Sequence, residues 1–336
     1  MKHSIFYSVI TAAMAISIAA CSPGTDVAGV GGSGITSTGT ITGFGSIYVN
    51  DIEFFTSSST FDIDDNPDLT EDDLAIGMRV TVKGTLNDDG ITGNATSVTY
   101  DDELQGPIGS VSDVEADGIS RTITVLGIVV ALNSTTTKFD DRNSSPGGFS
   151  FDNIREGDNV EISGLFDSAG VLIATRIELK DKVFKEDKSI VELKGTIANL
   201  IGSNFTLNLY GMTNVTVDVD ASGKVHYDDL PGGLAEGAFV EVKGTCPDIT
   251  CDTVTATRIE GESDGYDDDE NEVDIEGFIT RYESISDFDV DGLPVDASTA
   301  RLEPDSLVLD VDLRVEVEGT VVNNVLVASK VKLEDD

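Results

Sequence analysis

Tryptophan is absent from the 336 residues, tyrosine occurs 7 times, and there are only 2 histidines and 3 cysteines. Each scarcity closes a route. Beyond residue 20 the single histidine is His226, so a Ser/His/Asp site cannot be repeated along the chain. A structural zinc site built from His and Cys fails by number. Sugar-stacking aromatics are too few for an ordinary glycosidase cleft. Positive charge is scarce as well: 21 Lys and Arg stand against 62 Asp and Glu, a formal charge of −41. Affinity for nucleic acid rests mainly on cations that neutralise phosphates, so nucleic acid is excluded as a partner. No apolar run is long enough for a comfortable membrane span, which needs about 20 residues.

What the chain does have is repetition. Gly77-Met-Arg-Val-Thr-Val-Lys-Gly84 returns as Gly157-Asp-Asn-Val-Glu-Ile-Ser-Gly164 and as Gly237-Ala-Phe-Val-Glu-Val-Lys-Gly244. A fourth copy, Asp312-Leu-Arg-Val-Glu-Val-Glu-Gly319, replaces the opening glycine with Asp312. Valine and isoleucine two apart, with polar residues between, are the pattern of a strand with one buried face. Gly-x-Ile precedes each copy, at Gly39, Gly106, Gly195 and Gly277, and a small residue plus a short apolar strand follows, at Ala95, Ala174, Ala256 and Ala328. Three markers in one order, four times, define an array.

The expected fold is therefore all-β: four tandem small OB-like β-barrels or open β-sandwiches. Repeat 1 spans 39–100, repeat 2 106–180, repeat 3 191–260 and repeat 4 275–333, with an acidic linker at 261–274. Each repeat reads as three strands, a short helical or loop crossing and a final strand pair, the strand order of an OB barrel. Val49-Asn-Asp-Ile52, Val125-Leu-Gly-Ile128 and Val290-Asp-Gly-Leu293 align as two-residue hairpin turns. A unit of about 60 residues is marginal alone, so neighbouring repeats are expected to lean on one another. Lys180 to Lys194 reads as a solvated ribbon, His226 as an exposed strand residue, and the many acids as surface charge on polar faces and loops.

Residues 1–20 read as a lipoprotein signal peptide: Lys2, an apolar core, then Ile18-Ala-Ala-Cys21. The last four residues resemble the bacterial lipobox, which implies that Cys21 is lipidated and holds the protein to a membrane; Ser22 after it suggests the outer membrane. Residues 21–38 then form a Gly/Ser tether. Gly29-Val-Gly-Gly-Ser-Gly34 matches a dinucleotide-binding pattern in letters only, because a strand follows it instead of a helix.

Residues 39–333 resemble a repeated domain of unknown function found in tandem in proteobacterial lipoproteins. The resemblance implies OB-like modules at the cell envelope, with no catalytic residue. Cys246 and Cys251 sit in one hairpin loop and read as a disulfide, the default in an oxidising compartment. One acidic stretch spaces oxygen ligands like a calcium loop, at Asp62, Asp64, Asn66, Asp68 and Asp73, with Pro67 where that loop needs glycine. Calcium is the one cofactor the sequence offers. The functional expectation is a non-catalytic, lipid-anchored envelope protein that binds or spaces; the alternative is an array recognising a glycan or an envelope protein. An enzyme would need buried carboxylates converging in one cleft.

Overall fold

A computed structural model describes residues 34–142, 148–210, 213–219, 224–262, 266 and 272–334. The signal peptide and Cys21 lie outside the described residues. Repeat 1 comprises β1 (Gly34–Thr40), β2 (Ile47–Val49), β3 (Ile52–Phe55), β4 (Thr60–Ile63), β5 (Arg79–Leu86) and β6 (Thr92–Tyr100). Repeat 2 comprises β7 (Leu104–Val111), β8 (Ser120–Val125), β9 (Ile128–Asn133), β10 (Lys138–Asp140), β11 (Asn159–Phe166) and β12 (Leu172–Asp181). Repeat 3 comprises β13 (Ile190–Ile201), β14 (Asn204–Leu209), β15 (Thr213–Val219), β16 (His226–Asp228), β17 (Phe239–Thr245) and β18 (Thr253–Gly261). Repeat 4 comprises β19 (Val273–Ser284), β20 (Asp287–Val290), β21 (Leu293–Asp296), β22 (Arg301–Glu303), β23 (Arg314–Val322) and β24 (Val325–Leu333).

Pairing closes each repeat into a barrel. In repeat 2, β7 pairs with β8, β8 with β9, β9 runs parallel to β12, β12 pairs with β11, and β11 returns to β7. Repeats 3 and 4 follow the same order. Repeat 1 does so with a single bridge, from Gly43 just beyond β1 to Tyr48 of β2, in place of the first strand pairing. That closed order is the OB one and excludes the open sandwich. The expected five strands become six, because the crossing lays a short strand (β4, β10, β16, β22) parallel to the last. In repeat 1 a single 3-10 turn, Glu71–Asp73, completes the crossing, and the Thr70 N–H donates to Asp73 Oδ2 at 2.9 Å.

The repeated glycines have two physical causes. Gly77, Gly157 and Gly237 hold φ of 91°, 83° and 82°, and Asp312 takes the same left-handed conformation at 63°. The closing glycines sit at a β-bulge in every repeat. A Cβ on Gly84, Gly164, Gly244 or Gly319 would lie 2.3, 2.5, 2.4 or 2.3 Å from a carbonyl oxygen of the neighbouring strand. The hairpins at Asn50–Asp51, Leu126–Gly127 and Asp291–Gly292 have positive φ at both central residues, as two-residue primed turns require.

Two sequence expectations need correction. Residues 34–38 are strand rather than tether, since β1 pairs with β5 from Gly34↔Thr85 to Thr40↔Arg79. At the acidic linker, Gly261 closes β18 and Val273 opens β19, with Asp274 fully buried; residues 263–265 and 267–271 lie outside the described residues.

The barrels associate in two pairs, one of consecutive repeats and one that joins the two ends of the array. Repeats 2 and 3 join where β13 meets β7 antiparallel, at Glu192↔Gln105 and Leu193↔Leu104. Repeats 1 and 4 join where β1 runs parallel to β19, at Thr36↔Val273, Ser37↔Asp274 and Thr38↔Ile275. The described residues belong to one compact unit. Each barrel keeps an apolar interior, with Phe54, Ile162, Val242 and Phe288 fully buried, and removal of such side chains from water is the main stabilising term.

Candidate functional site

The core strands alternate as expected, but the polar face is not a wet face. Glu161, Glu241 and Glu316, at the same position of three repeats, are 4%, 4% and 3% exposed. Asp102, Glu178, Glu192, Asp274 and Glu276 are buried too. The reading of these acids as surface charge is thus overturned: the outer faces of the barrels pack against one another. A buried carboxylate needs cations and donors, and the junctions supply them. Glu161 accepts from Tyr100 Oη at 3.1 Å and pairs with Lys180. Glu192 pairs with Lys243 at 2.9 Å. Glu276 accepts from Thr40 N and from Arg314 Nε, each at 2.8 Å. Asp274 accepts from Ser37 Oγ at 3.2 Å.

Asp102 is the exception. It is 1% exposed, and neither carboxylate oxygen has a hydrogen-bond partner among the described residues. Burial, then the nearby charges of Glu192, Glu161, Asp64 and Glu241, push its pKa well above the carboxylate range.

The calcium loop expected at 62–73 does not form. Asp62 lies in β4, paired with Thr99 of β6. Asp64 turns inward, and burial with the charge of Glu161 raises its pKa to about 7, against Lys180 and Lys243. Asn66 Oδ1 accepts from the Asp68 backbone, and Asp73 caps the turn. β4 and the turn cap hold these side chains apart, and no group of three or more metal-binding side chains converges among the described residues. The neighbouring Asp65 instead binds Lys243 at 3.1 Å and Arg258 at 2.9 Å, tying repeat 1 to repeat 3. Cys246 and Cys251 are bridged, with Cα atoms 5.2 Å apart. His226 is exposed on β16, its Nε2 3.0 Å from Asp228.

Where the four barrels meet, a cavity of about 490 Å³ opens. Repeat 1 lends it Arg79 and Thr99, repeat 2 Phe166 and Asp167, repeat 3 Lys194, Tyr210 and Phe239, and repeat 4 Thr280 and Asp291. Asp101, Glu103 and Glu262, in the connectors, complete its charged lining. Arg79 reaches Asp291 at 2.6 Å and Glu103 at 3.7 Å; burial opposes its charge, but these carboxylates raise its pKa all the same. Phe166 stacks on Tyr210 with ring centroids 3.5 Å apart and planes 19° from parallel. Burial lifts Asp101 to about 6 and Glu262 to about 7, with Lys194 opposing in both cases. Lys194 itself is 3.7 Å from Glu241, so the ribbon expected to be solvated ends in an interior cation. The Glu of Val-Glu-Val/Ile recurs in three repeats, but alternation alone marks it only as facing away from its own barrel core. Arg79 and Lys194 had no sequence signal.

A family model described as a domain of unknown function, DUF5666, matches residues 35–99, 105–178, 194–260 and 276–332. The chain belongs to the DUF5666 family. Its DUF5666 copies coincide with the four barrels. No curated protein matches the chain. Among solved structures, "drosophila Unr CSD456" is similar at 18% identity, over 70% of this chain and 98% of that one. Its TM-score is 0.17, too low to bear on this DUF5666 protein.

Proposed function

We propose that this is a lipid-anchored outer-membrane protein whose four DUF5666 barrels act together as a non-catalytic binding body. The observation that carries the reading is the shared cavity: every repeat contributes to its wall, and its volume falls in the range of small-molecule sites. The electrostatics favour holding over catalysis. An acid–base pair needs environments that push two pKa values apart. Here Asp101 and Glu262 are raised together by burial, and Lys194 opposes both. Anchoring through Cys21 rests on the lipobox-like Ile18-Ala-Ala-Cys21.

Two measurements test the parts. Labelled palmitate should enter the wild-type protein and not Cys21→Ala; wild-type protein found unlabelled in the soluble fraction refutes the anchor. A thermal-shift screen of the detergent-solubilised full chain against small molecules should give hits that disappear in Thr99→Trp, which fills the cavity from β6. A ligand at 100 times its Kd adds about 2.7 kcal/mol, or about 5 °C for a protein of this size. A broad screen without any shift that depends on the cavity refutes the binding role.

A further inference from the structure

We propose that the cavity between the four barrels takes a small organic cation, an ammonium group carried on an apolar or aromatic body. This rests on the cavity-binding reading and names its ligand class.

The charge of the wall comes first. Five carboxylates (Asp101, Glu103, Asp167, Glu262 and Asp291) face the cavity against two cations, Arg79 and Lys194. Arg79 is engaged by Asp291 and Glu103. The ion pair of Lys194 is with Glu241, which does not line the cavity. The Asp167 carboxylate accepts from the backbone of Ala169 and Val171. The charge of Lys194 acts on both Asp101 and Glu262 and offsets only part of the effect of burial. Burial disfavours their charge, and it does so at the wall of a space large enough for a guest. An arriving ammonium would restore what burial removes. An anion would meet a wall with an excess of negative charge.

The second observation is independent of charge. Phe166, Tyr210 and Phe239 share the same wall, and Tyr210 and Phe239 keep 37% and 40% of their surface accessible. Aromatic faces attract ammonium and guanidinium groups and stack on apolar bodies. A bare metal ion would use none of this surface, and the described carboxylates are not grouped as metal ligands. The aromatic wall and the excess of carboxylates over cations together select an organic amine.

A matched series tests the inference on the full chain in detergent: 2-phenylethylamine, 2-phenylethanol and phenylacetate, which share a body and differ in charge. Calorimetry at pH 8 and fixed ionic strength should show the amine binding at least tenfold tighter than the other two. Asp101→Asn/Glu262→Gln should weaken the amine tenfold or more and leave the alcohol unchanged. Thr99→Trp should weaken all probes. Amine affinity should rise from pH 5.5 to 8 as Asp101 and Glu262 ionise, among the charges of Lys194, Glu241, Asp65, Lys243 and Glu260 around them. Equal binding of amine and alcohol, tighter binding of phenylacetate, or an unchanged double variant overturns the cation while leaving a cavity ligand standing. Failure of all three probes at millimolar concentration overturns the cation as well, and the broader screen then decides the cavity reading separately.

Discussion

Replacing Asp102 with asparagine should make this protein more stable, an unusual outcome for a fully buried position. Asp102 is 1% exposed and both its oxygens lack partners among the described residues. A charge there faces Glu192, Glu161, Asp64 and Glu241. Leaving one buried polar group unsatisfied costs about 1–3 kcal/mol, and more when it is charged. Asparagine keeps the shape, removes the charge and presents N–H donors to those carboxylates. The gain should be about 1–3 kcal/mol at pH 8, or about 2–6 °C in Tm. Its dependence on pH follows from the raised pKa. Between the unfolded value near 4 and the higher folded value, the folded chain holds a proton that the unfolded chain has lost. Stability from this group is therefore present at low pH and falls as pH rises through that window. Asp64, Asp101, Glu262 and Glu316, raised to between about 6 and about 7, act in the same direction. The wild type should thus melt higher at pH 5.5 than at pH 8, and Asp102→Asn should narrow that difference. Thermal melts of both proteins across this range provide the assay. A variant less stable at pH 8, or shifted equally at both pH values, refutes the reasoning.

Other perturbations follow from the same geometry. Gly164→Ala puts a Cβ 2.5 Å from the Ile173 carbonyl oxygen and should cost about 1–3 kcal/mol in urea unfolding. Arg79→Met leaves the half-buried Asp291 without its 2.6 Å partner and should cost about 1–3 kcal/mol, whereas Arg79→Met/Asp291→Leu should recover most of it; the double-mutant cycle measures both. Cys246→Ser/Cys251→Ser opens a short loop and should cost no more than about 2 kcal/mol by thermal melting.

Much of the architecture was legible because barrel interiors write themselves locally. Val80 and Val82 two apart, the bulge at Gly84 and the turn at Asn50–Asp51 each act within a few residues of their cause. Asp312 shows the limit of a letter-by-letter match: it departs from glycine, yet keeps the backbone the position needs. The interfaces were illegible for a different reason. Alternation tells which face of a strand turns away from its own core, not whether water or another barrel lies beyond it. Glu161 and Glu241 therefore read as surface residues. Lys194, in a lysine-rich connector, gave no hint that it would end inside. The side chains spaced like a calcium loop are not brought together, because spacing fixes the order of ligands along the chain while β4 and the turn cap set their directions.

The pairing of β1 with β19 changes what kind of repeat protein this is. An open solenoid can gain or lose a unit at its ends, and its stability adds up repeat by repeat. Here the first repeat is bonded to the last, with Ser37 and Asp274 joined across 237 positions of sequence. A fifth copy inserted between them would have to break that seam, and a lost copy would leave β1 without its neighbour. Copy number is thereby fixed by geometry. The array should also unfold as one body, since β1 cannot finish its sheet until the fourth repeat exists to receive it.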